Sequence, residues 1–210
     1  MIPSQIRLKV CGMRDSANIR AVAELGPDYM GFIFYRGSRR YVGDDFVMPD
    51  MQDRIKRVGV FVDQSTAEIK CLAQQHRLDF IQLHGKESPA QCAGLVISGL
   101  KVIKAFSIGS EVDFAVLEPY RPYIEFALFD TAGHQAGGNG VGFDWKLLKQ
   151  YDQSIPFFLA GGLSPARKDW EIPKGMNMHA LDVNSGVEVE PGMKNVSLVK
   201  EMLNVRNQWL

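Results

Sequence analysis

The feature that most constrains the fold is a set of eight short runs rich in apolar and β-branched residues, with segments of helical character between them. The runs are Ile6 to Val10, Tyr29 to Phe34, Arg57 to Val62, Phe80 to Leu83, Lys101 to Phe106, Phe126 to Asp130, Phe157 to Ala160 and Ala180 to Val183. The second run, "YMGFIF", is apolar throughout rather than alternating, as expected of a strand buried on both faces. The pattern predicts parallel strands joined by helices.

Helices are predicted between several of these strands. In "DSANIRAVAEL", Ile19, Val22 and Ala23 have the spacing of one helix face, and Gly26-Pro27 ends the segment. After the second strand, a loop "YRGSRRYVG" and then a helical stretch are expected. The other predicted helices are Thr66 to Gln75, Pro89 to Val96 and Asn195 to Asn207, with short ones over 109–119 and 164–170.

Eight strand and helix units in 210 residues average about 26 residues each, which is compact for a (β/α)₈ barrel of usually ~250 residues. An open doubly wound sheet would more often carry a GxGxxG turn after its first strand, where this chain has "CGMRD". There is no linker or low-complexity tract. We therefore predict an α/β fold, a (β/α)₈ TIM barrel with some short or irregular helices, formed by one domain over residues 1–210.

Composition limits the partners. Lys plus Arg and Asp plus Glu number 24 each, so no net field attracts nucleic acid or an anionic membrane. No apolar run approaches the ~20 residues of a membrane span, and the N-terminus lacks a signal-peptide stretch, so a cytoplasmic protein is expected. The cysteines at 11, 71 and 92 have no CxxC spacing, and His76, His134 and His179 lack the spacing of metal ligands. No disulfide framework or metal site is predicted.

Polar residues follow the predicted strands, at the barrel end where the chemistry of this fold occurs. They include Cys11, Arg40, Asp63, His84 and Asp130. A carboxyl group in a desolvated pocket suits a general acid, and a thiol near cations can become a thiolate base or nucleophile. The alternatives, a helix cap for Asp130 and a packed core thiol for Cys11, are about equally favoured for each residue taken singly.

The neighbours of these candidates have expected roles too. Lys9 lies two residues before Cys11, on the same face of the strand, where it can supply positive potential. Arg40 offers a planar fork suited to a carboxylate, whereas Arg36 and Arg39 fit solvated loop positions. His84 is either a donor in the pocket or a structural group, and the structural role is favoured.

Glycine-rich loops follow the last strands. Gly161-Gly162 and Asn184-Ser185-Gly186 come after strands seven and eight, the usual phosphate site of the fold, and together they favour phosphate binding over plain turns. A third cluster, "AGGNGVGFDW", follows strand six and is expected to be either a lid over the ligand or simply a flexible loop.

Taken together and in order, the motifs resemble the phosphoribosylanthranilate isomerase family of tryptophan biosynthesis. They are "KVCGMR", "GFIFYRGSRRYV", "VGVFVDQ", "IQLHGKE", "LFDT", "GGNGVGFDW", "FLAGGLSP" and "LDVNSGVEVEPGMKN". The resemblance covers nearly the whole chain. It implies a barrel without metal or organic cofactor that converts N-(5-phosphoribosyl)anthranilate to 1-(2-carboxyphenylamino)-1-deoxyribulose 5-phosphate by an Amadori rearrangement.

The resemblance also implies residue roles. Cys11 matches the general base, Asp130 the general acid and Arg40 the group that holds the substrate carboxylate. Loops around the phosphate are matched by Gly137, Gly138, Gly140, Gly161, Gly162, Ser185 and Gly186, and His84 and Asp182 are candidate pocket residues. The chain departs from the usual pattern at Arg36, Gly37 and Arg39, and "CGMR" replaces the more frequent "CGIT".

Two other functions fit the pattern less well. A two-aspartate isomerase of histidine biosynthesis, or a dual-substrate version of it, would have a carboxylate where Cys11 stands. A non-catalytic phosphate-binding barrel, acting as a regulatory or assembly subunit, would tolerate changes at Cys11 and Asp130. The expected partner is a small phosphorylated substrate, and a monomer is slightly favoured over a homodimer. Arg14 either raises the positive potential near the thiol or begins the next helix in solvent.

Overall fold

The computed structural model describes residues 6–131, 144–167, 170 and 175–207. Eight parallel strands form a closed barrel in sequence order. They are β1 (Arg7–Val10), β2 (Tyr29–Ile33), β3 (Lys56–Phe61), β4 (Phe80–Leu83), β5 (Val102–Ile108), β6 (Phe126–Thr131), β7 (Phe157–Leu159) and β8 (Met178–Val183). The predicted barrel is confirmed, and each predicted strand is present with boundaries shifted by at most a few residues.

The barrel closes between its first and last strands. β1 pairs with β8 over four positions, with Lys9 beside Asp182 and Val10 beside Val183. All five residues of β2 are buried, as its continuous apolar run predicts. Closure leaves the sheet without an open edge and brings the carboxyl ends of all eight strands to one rim.

In the described part of the chain, four α-helices pack outside the strands: α1 (Ser16–Glu24), α2 (Thr66–Gln75), α3 (Pro89–Val96) and α4 (Val196–Asn207). All four begin at side-chain caps, and Asn195 caps α4 by accepting from the Ser197 amide at 3.0 Å. Asp15 accepts from the Asn18 amide at 2.7 Å, Ser65 and Glu68 form a capping box, and Ser88 caps α3 just before Pro89. Within the described ranges, no helix is long and apolar enough to cross a bilayer.

Three helix predictions differ from the structure. Residues 44–55 form turns and irregular chain instead of a helix, because Pro49 interrupts the segment and Phe46, Val47 and Met48 are consecutive rather than spaced along one face. Over 109–119 the structure has a 3₁₀ helix that starts later, at Phe114–Tyr123; its two prolines lack the amide hydrogens that an α-helix needs. Of the helix predicted over 164–170, residues 164–167 form a turn instead, and residues 168 and 169 lie outside the described part of the chain.

Smaller elements complete the described chain. A 3₁₀ helix over Trp145–Gln150 precedes β7, and a second over Ser185–Val187 follows β8. The chain then forms a short antiparallel hairpin from β9 (Glu188–Glu190) and β10 (Met193–Lys194) before α4. This hairpin lies next to the rim that carries the predicted site residues.

Aromatic rings fill the barrel interior near the amino ends of the strands. Tyr29 packs edge-on against Phe80 and Phe158, with ring centroids 5.8 and 5.2 Å apart. A register shift between β7 and β8 accompanies the inward placement of His179, whose ring lies 4.0 Å from that of Phe126 and whose Nε2 lies 2.7 Å from the Tyr29 hydroxyl. The inner core therefore includes a titratable imidazole.

His179 is expected to make the protein less stable in mild acid. Burial, with a further contribution from Arg7, lowers the pKa of His179 to about 4. The pKa of a histidine in the unfolded chain is near 6.5. Between pH 6.5 and 4, the unfolded chain therefore binds a proton at this residue whereas the native chain does not. Stability is therefore lost as pH falls through this window, by about 2 kcal/mol. Urea unfolding at pH 6.5 and 4.5 should show a smaller loss for His179→Gln than for the wild type, and an equal loss in both would contradict this origin.

Candidate active site

A pocket of about 790 Å³, including its open mouth, lies at the carboxyl end of the barrel. Its lining brings together most of the predicted site residues: Cys11, Arg40, His84, Asp130, Gly161, Gly162, Asp182, Ser185 and Gly186. Gly137, Gly138 and Gly140 lie outside the described residues. Side chains from the ends of seven strands or the loops after them thus converge in one cavity.

Cys11 stands directly after β1, and its placement depends on a neighbouring glycine. Its amide donates to the carbonyl of Val183 at 2.8 Å, which anchors the backbone, and the residue is 5% exposed. Gly31 on β2 faces it so closely that a Cβ there would lie 2.7 Å from the Cys11 Sγ. The absence of a side chain at Gly31 therefore provides the space that the thiol occupies.

A buried ion pair lies beside this thiol. Lys9 is fully buried, and its Nζ donates to Asp182 Oδ2 at 2.8 Å. Burial raises the pKa of the Cys11 thiol above its ordinary value, and the positive charges of Lys9 and Lys194 oppose that rise only in part. Burial likewise raises the pKa of Asp182, with Lys9 opposing it. Lys9, the cation expected from the sequence, is present beside the thiol, but burial outweighs it and Lys194 together.

Asp130 lies near the end of β6, within reach of an imidazole. Its Oδ1 accepts from the Thr131 amide at 2.8 Å, and its Oδ2 lies 3.4 Å from His84 Nε2. On the other side of the ring, His84 Nδ1 lies 2.9 Å from Gln82 Nε2. His84 therefore belongs to the pocket, where it is placed to hold or exchange a proton with Asp130.

A second buried ion pair, Lys104 with Glu87, stabilises the loop that carries His84. Lys104 Nζ donates to the Gly85 carbonyl at 2.8 Å and to Glu87 Oε2 at 3.1 Å. Glu87 also accepts from the Asp63 amide at 3.0 Å. Asp63, a strand-end candidate from the sequence, thus ties two loops together and does not line the pocket.

The two glycine loops pack against each other. Gly161 has φ +86°, a conformation that favours glycine, and a Cβ there would collide with Thr131. A Cβ at Gly186 would collide with the backbone carbonyl of Leu163. Both loops therefore bring bare backbone to the pocket wall, an arrangement suited to an anionic group.

Arg40 has a partner that the sequence did not predict. Its Nε lies 2.9 Å from Glu188 Oε1 and its Nη2 lies 2.7 Å from Oε2, so one edge of the guanidinium grips the carboxylate. Lys194 Nζ lies 2.5 Å from the same Oε1. Glu188 lies 148 positions after Arg40, and Glu188 and Lys194 both belong to the motif "GVEVEPGMKN". Nothing in the local sequence of this motif indicates that Glu188 pairs with Arg40.

Two other loop arginines lie outside the pocket lining. Arg36 is exposed and pairs with Asp44, as expected of a solvated loop residue. Arg14 donates to the Arg39 carbonyl at 3.2 Å and packs over Gly192 in the turn of the hairpin. Its contacts are thus with surface loops rather than with the thiol.

The fold and this pocket define a (β/α)₈ barrel with a cavity at its carboxyl rim that is lined by a thiol, an imidazole and carboxyl groups. Over the described ranges, no three His, Cys, Asp or Glu residues are grouped as metal ligands would be. The chain belongs to the N-(5'-phosphoribosyl)anthranilate (PRA) isomerase family, whose model matches residues 8–205.

Individual relatives agree with this assignment. The chain is 41% identical over 203 residues to the N-(5'-phosphoribosyl)anthranilate isomerase of Phocaeicola vulgatus, covering 96% of this chain and 98% of that protein. It is 29% identical to the solved structure of phosphoribosyl anthranilate isomerase from Thermotoga maritima, with a TM-score of 0.81 over 97% of this chain and 99% of that one.

A third relative was solved with a bound molecule. This phosphoribosyl anthranilate isomerase is in complex with reduced 1-(o-carboxyphenylamino)-1-deoxyribulose 5-phosphate, and it matches with 29% identity and a TM-score of 0.79, covering 97% of this chain and 99% of that one. The family resemblance and the barrel are confirmed, and the chain is an isomerase of tryptophan biosynthesis. Solved relatives include monomers derived from a dimeric enzyme, so the preference for a monomer stays a prediction.

Proposed function

We propose that this chain, acting as one barrel domain over residues 1–210, converts N-(5'-phosphoribosyl)anthranilate to 1-(2-carboxyphenylamino)-1-deoxyribulose 5-phosphate. The observation that carries the proposal is the order of groups round one rim. Arg40 follows β2, Cys11 follows β1, the two glycine loops follow β8 and β7, and Asp130 lies on β6. A substrate with a carboxylate at one end and a phosphate at the other fits this order. The complex of the related isomerase with a reduced compound of that chemistry supports the choice.

The chemistry follows from the two proton-transfer groups. Asp130, as general acid, protonates the furanose ring oxygen; the C1–O bond breaks and the nitrogen lone pair forms the Schiff base. Cys11 as thiolate then takes the proton from C2, and the electron pair of that bond forms the enolamine. Protonation at C1 with loss of the proton of the C2 hydroxyl then gives the ketone, so the atoms of substrate and product are the same. Because burial raises the pKa of Cys11, the reactive thiolate is the minority form near neutral pH.

The anion sites fix the two ends of the substrate. Arg40 retains donors beyond those given to Glu188 and lines the pocket, so its guanidinium is placed to bind the anthranilate carboxylate. The backbone of the loops at 161–162 and 185–186 is placed for the phosphate. Gly137, Gly138 and Gly140 are proposed to contribute to the same phosphate site.

Replacing Arg40 by alanine is expected to weaken substrate binding more than it slows turnover. Loss of a charged, bidentate contact to the carboxylate should raise KM by roughly 10- to 100-fold, with a smaller change in kcat. Steady-state kinetics with N-(5'-phosphoribosyl)anthranilate measure both constants. Arg36→Ala is the matched control, since Arg36 is exposed and pairs with Asp44, and it should leave both constants unchanged. Unchanged constants for Arg40→Ala would remove Arg40 from the site.

The proposed activity is tested by incubating the purified protein with N-(5'-phosphoribosyl)anthranilate. We expect loss of its fluorescence together with the appearance of the ketose product by chromatography. The phosphorylated aminoaldose isomerised in histidine biosynthesis, supplied under the same conditions, should not be converted. Turnover of that compound alone would favour the two-aspartate class of enzyme. Binding of the reduced product analogue without any turnover of the substrate would favour a binding subunit and overturn the proposal.

A further inference from the structure

The hairpin β9–β10 places two charged side chains behind Arg40. Glu188 and Lys194 are register partners across the hairpin, and their side chains are 5% and 0% exposed. The Lys194 backbone is tied to α1 by two hydrogen bonds of 2.8 Å with the side chain of Asn18. A buried charged pair is therefore fixed to the body of the barrel.

Glu188 of this pair binds one edge of the Arg40 guanidinium. Glu188 accepts from Nε and from one Nη2 hydrogen of Arg40, and no described residue accepts from the other Nη2 hydrogen or from Nη1. Arg40 lines the pocket, whereas Glu188 and Lys194 are not part of its lining. Glu188 therefore binds the Nε edge of the guanidinium, outside the pocket lining, and leaves the remaining donors for a ligand in the pocket.

Lys194 joins the two ends of the arrangement. Its Nζ donates to Glu188 Oε1 at 2.5 Å and to Asn184 Oδ1 at 2.7 Å. Asn184 and Arg40 in turn flank Gly12, where a Cβ would lie 2.6 Å from Asn184 Oδ1 and 2.8 Å from Arg40 Cδ. The contacts thus form a chain from Arg40 through Glu188 and Lys194 to Asn184, and its two ends lie beside Gly12, the residue that follows Cys11.

The net charge of Arg40, Glu188 and Lys194 together suits an anionic ligand. Arg40 and Lys194 carry one positive charge each, and Glu188 carries one negative charge, which leaves a single positive charge. Burial raises the pKa of Glu188, but Arg40 and Lys194 together lower it below its ordinary value, so this carboxylate is ionised at neutral pH. One unbalanced positive charge is what a monoanionic aryl carboxylate would neutralise.

We propose that Lys194 and Glu188 are positioning residues that hold the Arg40 guanidinium in the orientation that binds the carboxylate of the substrate. Neither residue touches the substrate; both act through Arg40. The proposal rests on the carboxylate-binding role of Arg40 given under the proposed function. It predicts that the benefit of Lys194 to binding disappears when Arg40 is absent.

A double-mutant cycle tests this coupling. Lys194→Met removes the charge and the donors at similar size, and we expect it to weaken binding of the reduced product analogue by about tenfold, with a smaller loss in kcat. In the Arg40→Ala background, the same substitution should change the dissociation constant less than twofold. An equal effect in both backgrounds would overturn the proposal. If Lys194→Met does not fold, Lys194→Gln, which keeps a donor without the charge, takes its place in the cycle.

The second buried ion pair supplies the matched control. Lys104 pairs with Glu87 at 3.1 Å and is 3% exposed, but it serves the loop after β4. Lys104→Met should affect binding equally with and without Arg40. The two proposals fail in different ways: no effect of Arg40→Ala on binding contradicts the carboxylate role itself, whereas a clear effect of Arg40→Ala with additive behaviour of Lys194→Met contradicts only the positioning role.

Discussion

Cys11→Ser is expected to lower turnover by about 10²- to 10⁴-fold while the protein stays folded, because it removes the proposed general base. Serine occupies a little less space in the gap opposite Gly31, so the backbone anchor to Val183 is kept. Its hydroxyl is a far weaker acid than a thiol, so the anion that would take the C2 proton is much rarer. The fall should therefore appear in kcat more than in KM.

A serine substitution at a second buried cysteine, Cys92, is the matched control, because it also removes a packed sulfur atom but lies outside the pocket. Cys92 is fully buried in α3 and is not part of the pocket lining. Cys92→Ser should cost some stability but retain normal turnover in the same fluorescence assay. Near-normal turnover of Cys11→Ser would contradict the assignment of Cys11 as the base.

Asp130→Asn should cause a loss of similar size, again about 10²- to 10⁴-fold in kcat. The amide has nearly the shape of the carboxyl group and keeps an acceptor for the Thr131 amide, but it has no acidic proton to give to the ring oxygen. The substrate would still bind, since neither anion site is changed. Opening of the furanose ring is the step that should become slow.

Asp63→Asn is the matched control for this change. Asp63 also follows a barrel strand, but it accepts from the Lys86 amide at 2.6 Å and does not line the pocket. Its left-handed backbone, with φ of 54°, is one that asparagine tolerates. We expect turnover within twofold of the wild type for this variant. Equal losses in Asp63→Asn and Asp130→Asn would indicate a general loss of structure, and normal turnover in Asp130→Asn would contradict its role.

The barrel was predictable because each strand is a local signal. A run such as "YMGFIF" must be buried on both faces wherever it lies in the chain, and eight such runs with helices between them leave few topologies. Residues at strand ends, such as Cys11 and Asp130, are then brought to one rim by the fold itself. Their convergence in one pocket needed no long-range information beyond the closure of the barrel.

Local sequence was weaker where proline and irregular backbone compete with helix formation. The sequence predicts a helical stretch after the loop "YRGSRRYVG", but Phe46 in this region packs against Phe34 and Phe32 instead, with ring centroids 6.4 and 5.8 Å away. Burial of one large ring stabilises an irregular chain there. The segment Phe114–Tyr123 is similarly a 3₁₀ helix rather than an α-helix, because Pro119 and Pro122 lack the amide hydrogens that α-helical hydrogen bonds need.

The site's electrostatics depended on partners distant in sequence. Arg40 and Glu188 are 148 positions apart, and Lys9 and Asp182 are 173 positions apart. Neither pairing leaves a spacing pattern that one sequence can reveal. The degree of burial of Cys11 is also a property of the assembled pocket, so the direction of its pKa shift could not be read from the neighbouring Lys9 alone.

In the proposed function, the pocket binds one substrate with its carboxylate at Arg40, its phosphate at the two glycine loops and its reacting carbons between Cys11 and Asp130. A crystal structure of this protein with reduced 1-(o-carboxyphenylamino)-1-deoxyribulose 5-phosphate tests it most directly. We expect the carboxylate within hydrogen-bonding distance of Arg40, the phosphate against the backbone of residues 161–162 and 185–186, and C2 facing the Cys11 thiol. A phosphate bound at Arg40, or a C2 atom remote from both Cys11 and Asp130, would contradict the account.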